Sequence, residues 1–169
     1  MVPSATFGLL YGFVILLHDR RRVIHLNMTS RPTAQWVVQQ LRQAFPFDTA
    51  PRYLMRDRDA IYGEEVCHAL QSMGIEEVLI APRSPWQNPY CERLIGTIRR
   101  DCLDHAIVLN ERHLMRLLRS CFNDYHTARS HQALDGNAPK PRAVEPETQG
   151  KVVAIPMDGG LHHRYRRSG

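Results

Sequence analysis

The amino-acid sequence predicts an α/β fold in which helices cover a sheet. Short apolar segments with strand composition alternate with amphipathic helical segments between residues 6 and 135. Residues suited to helix starts and stops lie at the ends of the helical segments. Hydrophobic residues make up 43% of the 169-residue chain and charged residues 23%, which is ordinary for a soluble globular domain.

The first half of the chain contains the predicted opening strands. Residues 6–17 are rich in aliphatic and aromatic side chains, and residues 23–28 alternate between two faces. The polar stretch 18–22 separates them, so we predict two paired strands at the centre of the sheet. Pro32 and Thr33 then open an amphipathic helix that reaches Phe45.

The next segments repeat the strand and helix alternation. Residues 52–55 are a predicted short strand, residues 63–73 a helix with Gly74 as its C-cap, and residues 75–80 a further strand. Asn88 is placed to cap a helix that begins at Pro89, and Asn110 to cap another. Residues 1–135 are therefore predicted to form one domain.

Residues 136–169 are dominated by proline, glycine and charge, which predicts an extended or disordered basic tail. Its basic end, residues 162–167, either contacts phosphates or is simply solvated. The charge of the whole chain points the same way, since Lys and Arg number 22 against 17 Asp and Glu. This excess, nearly all arginine, favours a nucleic-acid partner without establishing one.

Membrane insertion and zinc binding are disfavoured. The longest apolar run, residues 5–17, is too short to span a bilayer and contains two glycines. The four cysteines form no C-x-x-C pair, so reduced thiols of an intracellular protein are expected.

Two carboxylates are candidates for chemistry. Asp57 follows a predicted strand, where α/β sheets place ligands and catalytic groups, and Glu92 lies in the first turn of a predicted helix. Carboxylate oxygens suit Mg²⁺ or Mn²⁺, and paired metals catalyse phosphoryl transfer. From the residues alone, however, an Asp at a strand end is more often a turn or cap residue, and a Glu in a first helical turn usually interacts with the helix dipole.

The helix that carries Glu92 has two distinct faces. Glu92, Gly96 and Arg99 share one of them, which is suited to a phosphate backbone. The opposite face is predicted to pack on the core through Leu94, Ile98 and Cys102.

Two sequence blocks resemble a known family. Residues 84–93, SPWQNPYCER, are similar to the S-P-x-x-N-x-x-x-E-R signature of insertion-sequence transposases and retroviral-type integrases. Residues 125–134, YHTARSHQAL, resemble the Y-N-x-x-R-x-H-x-x-L segment, with His126 in the place of Asn. The resemblance extends over residues 7–145 and implies a ribonuclease-H-like mixed sheet flanked by helices.

The resemblance also implies a function. Asp57 and Glu92 match the second and third members of the family's Asp-Asp-Glu triad, which binds Mg²⁺ or Mn²⁺ for DNA cleavage and strand transfer. The implied partners are the DNA ends of the mobile element and the target DNA, and homo-oligomers are expected to assemble on them. The implied location is a bacterial-type cytoplasm, and the nucleoid when the protein is bound to DNA. The expected DNA contacts are Asn88, Arg93, Arg99 and Arg100.

The family's first aspartate has no counterpart in the opening residues. Residues 1–18 contain no acidic side chain, so we expect this aspartate to precede Met1 and the first strand to be incomplete. Asp19 is the nearest candidate, but its place in a predicted turn argues against it as a ligand, and Asp59 is interpretable as a turn residue or an accessory carboxylate. Weak metal binding and little strand transfer are therefore expected of this polypeptide.

Three functions remain open at this point. The first is a transposase or integrase core, here defective. The second is a non-catalytic DNA-binding remnant, and the third a plain nuclease. The two sequence blocks favour the transposase lineage over the nuclease.

Overall fold

The computed structural model describes residues 1–157, 160 and 162–169. Within these residues it contains seven strands and four α-helices. The strands are β1 (Val2–Pro3), β2 (Leu9–Leu17), β3 (Arg22–Thr29), β4 (Tyr53–Arg56), β5 (Glu76–Leu79), β6 (Lys151–Met157) and β7 (His162–Ser168). The helices are α1 (Ala34–Ala44), α2 (Glu64–Ser72), α3 (Pro89–Asp101) and α4 (Glu111–Thr127). This mixed architecture confirms the predicted α/β class.

The first three strands form an antiparallel sheet in the order β1-β2-β3. The predicted pairing of the two apolar strands is confirmed, with β2 in the centre and β3 at an edge. The predicted start of β2 at residue 6 is wrong, because residues 4–8 form a turn. In this turn the amide of Ser4 donates to the carbonyl of Gly8 at 2.8 Å, and Phe7 has a φ of 59°.

A second, parallel pair joins β4 to β5, with Tyr53 opposite Glu76 and Arg56 opposite Leu79. The helix α2 connects these two strands. Gly74 follows this helix with a φ of 71°, in the left-handed region that favours glycine, which confirms its predicted place beyond the helix end. In the described residues this pair is not hydrogen-bonded to the β1–β3 sheet.

Side-chain caps start two of the helices as predicted. The Thr33 hydroxyl accepts a hydrogen bond from the amide of Trp36 at 3.1 Å, and the Asn110 side chain accepts from the amide of His113 at 2.9 Å. Asn88 precedes α3 as predicted, with Pro89 in the first turn, but its side chain makes no capping bond. Asn88 therefore occupies the predicted N-cap position, but the predicted side-chain cap is wrong.

Two hydrophobic clusters lie on opposite faces of β2. Leu10 of this strand packs into a cluster built with α3 and α4, whereas Ile15 packs into a cluster built with α1 and α2. A strand covered on both faces needs a nearly continuous apolar sequence, which accounts for the composition of β2.

Part of the chain beyond residue 135 also packs on this body. The guanidinium of Arg20 donates to the carbonyls of Pro139 at 3.0 Å and Ala138 at 3.2 Å, and both of these residues are buried. Farther on, β6 and β7 form an antiparallel hairpin where the sequence indicated no regular element. The division into a domain at 1–135 and a tail at 136–169 stays a prediction.

His126 joins α4 to β3 and gives the fold a pH dependence. Its Nε2 accepts a hydrogen bond from the amide of Val23 at 3.0 Å, which requires a neutral ring. Burial lowers the pKa of His126, and the charges of Lys140 and Arg22 lower it further. This stabilisation is therefore present above the unfolded-state pKa of about 6.5 and is lost as the pH falls through the lower folded-state pKa.

We expect His126→Gln to reduce the loss of stability on acidification, because glutamine offers an acceptor that does not titrate. The free energy of unfolding is measured by chemical denaturation from about pH 7.5 to pH 5, the range in which histidines titrate. The control is His105→Gln at an exposed position, which should leave the change of unfolding free energy with pH as it is in the wild type. Equal slopes for the wild type and His126→Gln would contradict this account.

Candidate metal and nucleic-acid site

Asp57 lies directly after β4 and is exposed. Its Oδ1 accepts a hydrogen bond from the amide of Asp59 at 3.2 Å, and Asp59 Oδ1 in turn accepts from the amide of Ile61 at 3.0 Å. These two local bonds fix the loop between β4 and α2. The carboxylate of Asp57 is thereby placed at the carboxyl end of a parallel strand, as predicted.

Arg56, the last residue of β4, anchors the strand end that precedes Asp57. Its Nε donates to Glu77 Oε2 at 2.7 Å, in an ion pair whose side chains are only 9% and 17% exposed. Its Nη1 also donates to the carbonyl of Asp57 at 3.0 Å, and its guanidinium lies 5.0 Å from the ring of Tyr62. Arg56 is therefore a positioning residue that the sequence reasoning missed.

Helix α3 presents Glu92 to solvent in its first turn, and Leu94, Thr97 and Ile98 face the core. This confirms the predicted division of the helix into two faces for Leu94 and Ile98, whereas Cys102 lies just beyond the helix end and is half-buried. The predicted DNA contacts differ in exposure. Three are exposed, namely Arg93, Arg99 and Arg100, and Asn88 is half-buried with its Oδ1 enclosed and unpartnered among the described residues.

Tyr62 follows Asp57 in the loop before α2 and lines the same cavity as Cys91 of α3. Burial raises its pKa to about 12, and the negative charges of Asp57 and Asp59 add to the effect. A smaller contribution comes from Cys91, whose own pKa is raised by burial and then by the neighbouring charge of Glu92. Tyr62 and Cys91, at the start of α3, therefore border one cavity.

Basic and aromatic residues gather beside the start of α3. The Arg21 guanidinium lies 4.6 Å from the ring centroid of Tyr90, and the His18 ring packs edge-on against the same ring at 5.1 Å. The predicted motif residue His131 packs on Tyr125 at 5.0 Å. Its pKa is lowered by burial and then by the charges of three arginines, Arg129, Arg21 and Arg93.

The described residues do not complete a metal centre. Among them there is no group of three or more His, Cys, Asp or Glu side chains that could hold a metal ion. Asp19 lies exposed in the turn between β2 and β3. Divalent cations of the magnesium type need several fixed oxygen ligands.

Comparison with known proteins agrees with the fold and the motifs. Residues 73–139, which include β5, α3 and α4, match the family described as integrase core domain. Over this segment the chain is similar to integrase core domains. It is also 29% identical over 128 residues to the insertion element IS476 uncharacterized 39.2 kDa protein of Xanthomonas euvesicatoria, an alignment that covers 75% of this chain and 37% of that protein. The chain thus spans little more than a third of this relative.

Solved structures share the fold at low sequence identity. The core resembles a chain of the simian T-cell lymphotropic virus intasome in complex with PP2A regulatory subunit B56 gamma, with a TM-score of 0.54 and 14% identity. That alignment covers 97% of this chain and 66% of the other. The magnesium complex of the HTLV-2 integrase catalytic core domain, in its trimeric form, aligns with a TM-score of 0.52 at 12% identity over 82% of this chain and 95% of that one. These neighbours confirm the ribonuclease-H-like fold.

None of the described helices combines the length and the apolar character needed to cross a membrane.

Proposed function

We propose that this core binds DNA through the exposed face of α3 and belongs to an enzyme that cleaves and joins DNA strands. The observation that carries this proposal is the arrangement of α3, which exposes Glu92, Arg93, Arg99 and Arg100 while it buries the opposite face. Tyr62, in the loop that follows Asp57, lines the same cavity as Cys91 of this helix. A carboxylate pair beside a row of arginines suits a phosphodiester backbone.

In this proposal Asp57 and Glu92 are two ligands of a Mg²⁺ or Mn²⁺ site, as the similarity to a magnesium-bound integrase core suggests. A bound metal pair would activate the attacking oxygen and stabilise the leaving oxygen of a phosphoryl transfer. Since the described ligand set is incomplete, we propose that the 169-residue polypeptide binds DNA but transfers strands poorly. Self-association on two DNA ends and action at the bacterial nucleoid belong to the same proposal.

The arginines of α3 give the proposal its test. We expect Arg99→Ala combined with Arg100→Ala to weaken binding to duplex DNA. The slope of log affinity against log salt concentration should become shallower by about two, because each arginine that contacts a phosphate displaces counterions. Fluorescence anisotropy with labelled DNA across a salt series measures both quantities. The matched control is Arg42→Ala, an exposed arginine in the last turn of α1. An unchanged affinity and slope in the double variant would contradict the proposal.

A non-catalytic DNA-binding remnant is the second candidate, and the incomplete ligand set favours it. A Mn²⁺-dependent nicking assay separates the two functions. Residual nicking that Glu92→Gln abolishes assigns the chain to the weakened enzyme. DNA binding without any nicking in either protein assigns it to the remnant.

A further inference from the structure

A groove of about 320 Å³ lies between the β6–β7 hairpin and residues 135–145. Its lining includes one aromatic residue, three arginines and two carboxylate residues, namely Tyr165, Arg142, Arg166, Arg167, Asp135 and Glu145. We call this cavity the hairpin groove. Neither Asp57 nor Glu92 lines it, so it is separate from the candidate metal site.

The wall formed by residues 135–145 is anchored to the core. The Asn137 Oδ1 atom accepts hydrogen bonds from the amide of Ala138 at 2.8 Å and from the amide of Arg142 at 3.3 Å. Ala138 is 1% exposed, and its carbonyl accepts a hydrogen bond from the guanidinium of Arg20. The backbone of Arg142 is therefore held by a turn that is itself fixed to the body of the protein.

Arg167 holds the hairpin against this wall. Its amide donates a hydrogen bond to Glu145 Oε2, and its Nη1 donates to the carbonyl of Gly150 at 3.0 Å. Val152 lies opposite Arg167 in the hairpin, and Tyr165 lies two residues before it. Side chains at such positions point to the same face of a sheet. The hairpin thus turns this face towards the groove.

Tyr165 offers an open aromatic surface in the hairpin groove. It is 61% exposed, and in the part of the chain that the structure describes no other ring or guanidinium packs on it. A nucleobase stacks readily on an exposed ring of this kind. The side chains of Arg142 and Arg166 are exposed beside it and suit the phosphates that flank such a base.

Size and charge favour an unpaired base over a duplex. The volume of the groove suits a group of small-molecule size, and the bases of a duplex are stacked on each other and therefore not available to a tyrosine ring. Three arginines share the lining with Asp135 and Glu145, so the attraction for a phosphate backbone alone is modest. Stacking on Tyr165 is then the main contribution.

We propose that the hairpin groove binds single-stranded nucleic acid, with an unpaired base stacked on Tyr165 and the flanking phosphates bound by Arg142 and Arg166. Of the two interpretations that the sequence allows for the basic residues 162–167, this one assigns them to a ligand. The groove is distinct from the face of α3, for which duplex DNA is proposed. The inference therefore does not rest on the proposed function.

Two substitutions of Tyr165 in the intact 169-residue chain test the stacking. Tyr165→Ile removes the ring but suits a strand, and Tyr165→Phe keeps the ring. The probes are fluorescently labelled oligothymidine DNA and oligouridine RNA of about ten nucleotides, and anisotropy gives their affinities. We expect Tyr165→Ile to bind the single strand about tenfold or more weakly, and Tyr165→Phe to bind it as tightly as the wild type.

Arg142→Ala tests the facing wall without a change in the hairpin. It should weaken binding of the single strand and make the slope of log affinity against log salt concentration shallower by about 0.7, the value for one phosphate contact on a single strand. Tyr165→Ile should leave this slope unchanged, because stacking displaces no counterions. An equal change of slope in the two variants would overturn the proposed division between stacking and phosphate contact.

The affinity of each Tyr165 variant for duplex DNA is measured in parallel. Binding of either single strand that depends on the ring supports the proposal, and the tighter of the two identifies the source of the ligand. No binding of either strand by the wild type, equal affinities of the wild type and Tyr165→Ile, or an equal loss in Tyr165→Phe would overturn it. An equal loss of duplex affinity in Tyr165→Ile would also overturn it, because the ring would then support the fold and not an unpaired base.

Discussion

Replacing Glu77 by alanine is expected to lower the free energy of unfolding by about 3 kcal/mol or more, because it leaves the charge of Arg56 buried without its partner. The two side chains are 17% and 9% exposed, so solvent compensates little. Arg56 also donates to the carbonyl of Asp57, and the loss should therefore loosen the loop that carries this carboxylate. Urea denaturation followed by circular dichroism measures the effect.

The neighbouring Glu76→Ala is the matched control. Glu76 lies on the same strand and also pairs with an arginine, Arg52, at 3.4 Å. These side chains are 62% and 74% exposed, so the loss should stay below about 1 kcal/mol. If the two variants lost equal free energies of unfolding, the burial of the Arg56–Glu77 pair would not determine how much the pair stabilises the fold.

Leu114→Ala is expected to cost about 2–5 kcal/mol, since it removes a fully buried side chain and leaves a cavity. Leu114 is 0% exposed and lies in the cluster that joins α3 and α4 to β2 and β3. Truncation there should also loosen the packing that orients the arginine face of α3. The denaturation midpoint should fall while the denaturant slope stays the same.

Leu109→Ala makes the same chemical change at a position that is 54% exposed. It should cost less than about 1 kcal/mol, because little apolar surface returns to water. If Leu114→Ala were as stable as Leu109→Ala, the assignment of this cluster as the core around α3 and α4 would be wrong.

Local patterns predicted much of the fold. Thr33 and Asn110 start their helices as expected, because a side-chain cap depends on residues only three positions away. Gly74 ends α2 for a similarly local reason. Asn88 departs from the pattern, because it lies at the N-cap position of α3 but its side chain makes no capping bond.

Features that depend on distant residues could not be read from the sequence. The ion pair of Arg56 with Glu77 joins positions 21 residues apart on two parallel strands. In the hairpin of β6 and β7, valine and isoleucine residues of β6 lie opposite arginines of β7. The sequence of β7 therefore has no alternation of apolar and polar residues that would predict a strand. In the candidate site, Asp57 lies after a strand end and Glu92 at a helix start, as the sequence predicts. The cavity that Tyr62 shares with Cys91 depends on packing between distant segments and could not be predicted.

We propose that Asp57 and Glu92 belong to one metal site, and a Mn²⁺ titration of the isotope-labelled chain tests this proposal most directly. Paramagnetic Mn²⁺ broadens the NMR signals of nearby amides. The account predicts that the amides around Asp57 and those at the start of α3 broaden together, and that Asp57→Asn and Glu92→Gln each raise the Mn²⁺ concentration needed for both. The exposed Asp104→Asn should change neither. Broadening of the two segments at different concentrations, or of one segment alone, would contradict the claim.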